Sequence, residues 1–359
     1  MKILFHYHDS LSKISGTPLR ILSLARAFQE LGHEVILASP GDVISGFHHI
    51  TFSSSFFGKY FHIFSLFRVL RTLHPDVVYS FTSLSLLSSL PAARFARKRL
   101  CVEIHGLWFE ESAFKGRKLR SGSLFMKFLA ACDRFLVHCA DAVYPICSSL
   151  ADYYRSSSCE PHTIFLGVDI HAFSPTVVPF PDLISFKRNR VLVMYAGNFN
   201  TYQGVDLLFD VITCLPSGHL FCFAFLGNDS DLPTDLPRDI VYSCGKVPYA
   251  SVPAYLAASD ILVIPRLASP VATYSFPSKL LEYMAMGKTV LVTRVGSMED
   301  LVSSGTHGLV VEPSVEGLLN GLLRLRSSSV RKKMSLAARK TAEQYSLQKN
   351  ARRIIDLLS

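Results

Sequence analysis

Two side chains three residues apart, Lys279 and Glu282, follow the loop Ser275-Phe276-Pro277-Ser278 and open a helical stretch. At that spacing both face the same side of a helix. A carboxylate so placed can accept two hydroxyls at once, which suits a ribose, and an ammonium beside it offsets charge growing on a leaving anion. Arg266, just past the apolar run 261–265, is a second cation of the same use. Backbone N–H groups of the 275–278 loop, and of Gly16-Thr17 before an earlier helix, can bind anions without any side-chain charge. His105 follows the apolar run 100–104 and precedes Gly106, with Glu103, Glu110 and Glu111 flanking it. Taken singly, each feature has a bland reading: a solvated helix carboxylate, a surface cation, a tight-turn glycine, a structural histidine.

Other chemistries find little support. Asp229-Ser230-Asp231 has the form of a metal-binding DxD, but it follows Gly227-Asn228 in a polar loop. No HExxH, CxxC or histidine cluster offers a better site, so neither metal nor cofactor is expected. The absence of GxGxxG counts against a Rossmann oxidoreductase. None of the eight cysteines forms a CxxC pair and several lie in apolar runs, as in a reduced cytosolic chain.

These residues need elements to hold them. The 359 residues, 49% hydrophobic and only 18% charged, suit two folded domains. Strand, helix and strand follow one another from Lys2–Tyr7, through Ile21, Leu24, Ala25, Phe28 and Leu31 at helical spacing, to Val35–Ala38. Further short apolar runs at 76–80, 100–104 and 142–145 read as strands buried on both faces. Three prolines in Ser174 to Pro181 mark a linker, after which the pattern restarts with strands at 190–196, 220–226, 240–243, 261–265 and 289–293. The stretches 318–325 and 330–358 read as amphipathic helices. Two doubly wound α/β halves are expected, with ligands at the carboxyl ends of the strands in a cleft between them. The expected divisions are 1–173, 174–345 and a C-terminal helix at 346–359 returning to the first domain.

The 37 Lys and Arg exceed the 28 Asp and Glu, giving +9, which suits an anionic partner. The segment from Phe52 to Arg71 holds Phe52, Phe56, Phe57, Tyr60, Phe61, Phe64 and Phe67 among Lys59, Arg68 and Arg71. Lys115, Arg117, Lys118 and Arg120 precede Leu124, Phe125, Phe128 and Leu129. Such a mixture fits an anionic membrane surface, the bland alternative being core helices with basic edges. No recognition motif points to nucleic acid. The N-terminus enters a strand directly, and no run of about 18 residues is consistently apolar and uncharged. The expected location is cytoplasmic, peripheral on the inner face of the membrane.

Phe276-Pro277-Ser278-Lys279-Leu280-Leu281-Glu282-Tyr283-Met284-Ala285-Met286-Gly287-Lys288-Thr289-Val290 resembles the donor-site segment of the retaining GT-B glycosyltransferases of family 4, the glycosyl transferases group 1. Gly296-Ser297-Met298-Glu299 and Gly305-Thr306-His307-Gly308-Leu309-Val310 continue the likeness. Tyr195-Ala196-Gly197-Asn198 with Tyr202-Gln203-Gly204 is similar to a branch that has YQG in place of the usual KG. The first half agrees through Gly16-Thr17, Gly32-His33-Glu34-Val35, Glu103-Ile104-His105-Gly106 and Gly167-Val168-Asp169.

The resemblance implies a GT-B fold, two Rossmann-like domains facing across a cleft, the first binding acceptor and the second a nucleotide-sugar. It implies retaining, metal-independent transfer to a cell-envelope glycan or lipid-linked acceptor. The donor phosphate itself would assist the acceptor hydroxyl, so no general base is required. His105, Glu282 and Lys279 become the expected catalytic residues. The implied donor site is Gly16, Thr17, Gly197, Asn198, Gln203, Arg266, Tyr274, Ser275, Phe276, Pro277, Ser278, Leu281 and Glu282. Glu103 and Glu110 are the expected acceptor contacts. Two departures stand out. Tyr274 occupies the place, eight before Glu282, where the family has an acid, and neutral Asn198 and Gln203 replace its basic pair. Lys279 and Arg266 are the obvious substitutes for that pair. A non-catalytic nucleotide-sugar-binding partner is the alternative reading.

Overall fold

Runs such as Ile3-Leu4-Phe5 and Leu262-Val263-Ile264 have no polar face, so they are stable only in a sheet covered on both sides. The computed structural model describes residues 1–12, 16–53, 62–114, 122–216, 218 and 220–359. Its chain forms two units, Met1–Gly167 with Leu347–Ser359, and Val168–Ser346.

The first unit runs β1 (Lys2–Tyr7), α1 (Thr17–Glu30), β2 (Glu34–Pro40), β3 (His48–Phe52), α2 (Ile63–Leu73), β4 (Val77–Phe81) and α3 (Leu86–Ala96). It continues with β5 (Arg99–Ile104), α4 (Trp108–Phe114), α5 (Leu124–His138), β6 (Ala142–Pro145) and α6 (Ser148–Tyr154). Its six strands are parallel, in the order β3-β2-β1-β4-β5-β6. Direction reverses between β1 and β4, and the right-handed crossover rule therefore puts α1 on one face and α2, α3 and α5 on the other.

The second unit runs α7 (Pro181–Lys187), β7 (Val191–Ala196), α8 (Val205–Thr213), β8 (Phe221–Leu226), β9 (Val241–Gly245), α9 (Val252–Ala258) and β10 (Ile261–Ile264). Then follow α10 (Pro270–Thr273), α11 (Lys279–Ala285), β11 (Thr289–Thr293), β12 (Gly308–Val311), α12 (Val315–Arg324) and α13 (Ser328–Ala342). This sheet is also parallel, in the order β12-β11-β10-β7-β8-β9, and it reverses between β7 and β10.

Three details differ from the sequence reading. The edge strands β3 and β12 were not expected; His48-His49-Ile50-Thr51-Phe52 lacks an apolar run, and Gly308-Leu309-Val310-Val311 opens on a glycine directly after the turn-forming Gly305-Thr306-His307. The 330–358 stretch is not one helix. It breaks at a 3-10 turn over Glu343–Tyr345, and α14 (Leu347–Leu358) then joins the first unit, packing on α1 with Ile354 and Leu358 in that core. The first boundary falls at 167/168, before the expected 173/174. Val168 N–H donates to the Tyr345 carbonyl at 2.9 Å, and Arg339 Nη1 donates to the carbonyls of Phe173 and Ala285 at 2.9 and 2.6 Å, so residues 168–173 are held in the second unit.

Phe56, Phe57, Lys59, Tyr60, Phe61, Lys115, Arg117, Lys118 and Arg120 lie outside the described residues. No helix among the described residues is long and apolar enough to cross a membrane.

Candidate functional site

In the second unit the chain leaves β7 and β10 side by side at the point where the strand order reverses, the usual ligand position of a doubly wound sheet. Gly197 follows β7 with φ 143°, and a Cβ there would stand 2.5 Å from Lys279 Nζ. The glycine therefore leaves room for the lysine head. Lys279 Nζ donates to Tyr195 Oη at 3.1 Å and to Gln203 Oε1 at 3.4 Å, and lies 4.3 Å from the centre of the Tyr195 ring. Tyr195 Oη in turn donates to the Asn198 carbonyl at 2.5 Å. Burial and the nearby Arg266 guanidinium push the Lys279 ammonium down to about 7, against a weaker opposing pull from Glu282. The lysine thus has two neutral acceptors and a π face, and no carboxylate within salt-bridge distance among the described residues.

Glu282 stands one turn along α11. Its Oε1 accepts from Tyr249 Oη at 2.8 Å, and burial raises its carboxyl against the lowering effects of Tyr249 and Lys279. Tyr202-Gln203-Gly204 packs on the end of β10: a Cβ at Gly204, φ 67°, would sit 2.0 Å from the Pro265 carbonyl oxygen. That close approach brings buried Gln203 to Lys279.

Arg266 is placed otherwise than as an open substitute for the missing basic pair. Only 4% exposed, its Nη1 donates to the carbonyls of Ala272 and Ser275 at 3.3 and 3.1 Å and to Ser275 Oγ at 3.2 Å. It braces the loop between α10 and α11. Ser275 Oγ faces inward too, donating to the Val271 carbonyl at 2.5 Å. Tyr274 caps α10, half-buried, and Ser278 is the exposed N-cap of α11. Phe276, Pro277 and Leu281 are buried, so Leu281 packs in the core. Asn198 is exposed, its Oδ1 accepting from Asn200 N–H at 3.3 Å. Sequence reasoning missed three tyrosines. Tyr195 and Tyr249 hold Lys279 and Glu282, and Tyr283 Oη accepts from the Ala196 N–H at 2.9 Å, at the end of β7. A tyrosine beside Glu282 and another ending a strand carry no spacing signal; only folding brings them there.

The first unit has its own charged cluster. Glu103, at the end of β5, is wholly buried. Its two oxygens accept from Arg20 Nε and Nη2 at 3.1 and 3.2 Å, from Tyr79 Oη at 2.8 Å and from His105 Nε2 at 2.7 Å. Burial pushes this carboxyl up, but Arg20 and His105 outweigh it and hold it at about 2. With no exposed oxygen, Glu103 is a brace for His105 rather than the acceptor contact expected from sequence. Nε2 faces the Glu103 carboxylate, and Nδ1 on the other side of the ring hydrogen-bonds with Thr17 Oγ1 at 2.9 Å. Thr17 opens α1 after Gly16, φ 60°, so the helix start and His105 are joined. Glu110 lies half-buried in the first turn of α4. Asp229 and Asp231 sit in a 3-10 turn, Asp229 accepting from Ser243 Oγ and Asp231 from Asn228 Nδ2 at 3.1 Å. Among the described residues no three His, Cys, Asp or Glu side chains group as metal ligands.

Comparison with known proteins agrees with this architecture. Residues 14–172 match the family model described as Glycosyltransferase Family 4, and residues 190–328 match glycosyl transferases group 1. Functionally curated sequences yield no match. The sucrose-phosphate synthase of Thermosynechococcus elongatus shares the fold with TM-score 0.78 and 17% identity, over 99% of this chain and 97% of that one. HepE of Anabaena, solved in complex with UDP, gives 0.78 and 19% over 100% and 99%. The lipopolysaccharide outer core galactosyltransferase WaaB gives 0.71 and 16% over 99% and 98%. With both units matched and two parallel six-stranded sheets in the GT-B pattern, the chain belongs to the family 4 glycosyltransferases.

Proposed function

We propose that the chain moves a sugar from a nucleoside-diphosphate sugar to a cell-envelope glycan or lipid-linked acceptor, with retention at the anomeric carbon and without a metal. The observation that carries the reading is Lys279 Nζ, held over Gly197 by neutral groups at the reversal of the second sheet, with Glu282 one turn away. Glu282 accepts the ribose hydroxyls; Lys279 meets the diphosphate and, protonated, offsets the charge that grows on it as the glycosidic bond breaks. The donor phosphate takes the acceptor proton, so the side chains position and stabilise. His105, whose two ring nitrogens pair with Glu103 and Thr17, is held in place by them and is not needed as a proton carrier in this reading. The acceptor reading and the charge of +9 point to work at the cytoplasmic face of an anionic membrane, with no nucleic-acid partner.

The test is incubation with a panel of nucleotide sugars and lipid-linked acceptors, UDP-glucose first because HepE has been solved in complex with it. Transfer with the anomeric configuration kept, and unchanged by EDTA, is expected. An inverted product, or loss restored by Mn²⁺, overturns the corresponding part. A second reading has one observation behind it: Arg266 is spent on carbonyls and Asn198 and Gln203 are neutral. Tight nucleotide binding with no transfer from any donor would make the chain a non-catalytic nucleotide-sugar-binding partner of a glycan-assembly complex.

A further inference from the structure

In the first unit, α2, α3 and α5 pack side by side on one face of the sheet, while α1 and α14 pack on the other. The two layers differ in what they show to solvent. The first exposes Phe64 at 87%, Phe95 at 73%, Leu124 at 85%, Phe125 at 55%, Phe128 at 61% and Phe135 at 69%. No large apolar side chain of α1 or α14 is exposed in this way. Along α5, Leu124, Phe128, Ala131 and Phe135 recur at spacings of three and four on the outer face, with Met126, Asp133 and Val137 turned inward. So large a set of exposed aromatic rings marks an interaction surface.

The charge on this layer selects the occupant. Arg68, Arg71, Lys127 and Arg134 are exposed on α2 and α5. The one acid of the three helices, Asp133, is buried and accepts from Trp108 Nε1 at 2.9 Å and Tyr154 Oη at 2.5 Å. A second copy of this face would set cation against cation. A lipid surface with anionic headgroups supplies both complements, acyl chains for the rings and negative charge for the cations.

We propose that the outer face of α5, with the exposed ends of α2 and α3, docks into an anionic lipid surface. The inference rests on the membrane part of the functional reading and names the residues that perform it. Leu124, Phe125, Phe128 and Phe135 enter the headgroup–acyl boundary, and Lys127 and Arg134 meet the headgroups. Asp133 also ties α5 to Trp108, three residues past His105, so docking fixes the His105 segment relative to the lipid.

Flotation of the full chain with vesicles tests this. Binding is expected to phosphatidylcholine vesicles containing about one-third phosphatidylglycerol and not to phosphatidylcholine alone, weakening with added salt. The triple substitution Phe125→Ser, Phe128→Ser, Phe135→Ser should lower partitioning at least about tenfold. Lys127→Glu with Arg134→Glu should lower it on the anionic vesicles. These side chains are exposed, so an unchanged Tm and unchanged nucleotide binding confirm that each variant is folded and its donor site intact. Vesicle binding by the triple variant equal to wild type overturns the proposal, as does a wild type that floats with no vesicle. Sedimentation velocity showing a wild-type dimer that the triple substitution dissociates would assign the surface to a second copy instead. If wild type binds vesicles but transfers no sugar, docking stands and the enzymatic reading falls.

Discussion

Both units place a charged cluster at the carboxyl ends of parallel strands, yet the two are satisfied in different ways. In the first, Glu103 has four donors around two oxygens and no exposure, and Arg20 supplies its counter-charge. In the second, Lys279 has neutral neighbours and a cation near it, and its ammonium is pushed down to about 7. A carboxylate neutralised by a buried counter-charge stabilises a shape. A cation left short of negative charge is arranged to receive it from a ligand. The first cluster thus holds His105 and Thr17 in place, and the second is where substrate charge would be met.

The contrast can be broken from either side. Glu282→Ala should have the largest effect, removing transfer by about 10³-fold or more while Tm stays near wild type; the ribose hydroxyls proposed to bind there would find no other carboxylate on α11. Near-normal turnover in that folded variant would mean the second cluster is not chemical. Arg20→Met should act on folding instead. It strands the buried Glu103 charge, for an expected loss of about 3–5 kcal/mol in urea denaturation. A loss under about 1 kcal/mol would show that the first cluster is not the brace described.

Lys279→Ala should give the mirror image of Arg20→Met, no loss of stability but a drop of at least about tenfold in kcat/KM and weaker nucleotide binding. Arg266→Ala should change kcat/KM more mildly, with its main effect on Tm, because its guanidinium holds the loop between α10 and α11. Wild-type kinetics in both variants would leave the diphosphate to backbone N–H groups. The smallest effect concerns pH. A lysine at about 7 in the empty site must take up a proton to pair with a diphosphate once pH exceeds that value. Affinity for a nucleotide sugar, whose diphosphate diester does not titrate in this range, should be flat below about pH 7 and fall towards tenfold per unit above it. Lys279→Ala should flatten the curve. A wild-type affinity independent of pH from 6 to 9 would place the ammonium at its ordinary value, with ~10.4 as that reference.

Much of this could be read from local pattern. Apolar runs and helical spacing marked ten of the strands and the linker region, because period and burial are properties of neighbouring residues. The spacing of Lys279 and Glu282 required a common helix face wherever that helix lay. Tertiary structure decided the partners. Arg266 looks like an available cation in sequence, but folding sets Ala272 and Ser275 carbonyls against its guanidinium. Glu103 beside His105 looks like a substrate contact, but Arg20 and Tyr79 arrive from other elements and enclose it. Tyr249 reaches Glu282 across 33 residues, and Tyr195 reaches Lys279 across 84. The return of α14 to α1 likewise depends on the turn at Glu343–Tyr345. Short-range geometry follows from φ, ψ and side-chain period. Whether a charge is neutralised, exposed or kept waiting depends on groups that only the folded chain brings within hydrogen-bonding distance.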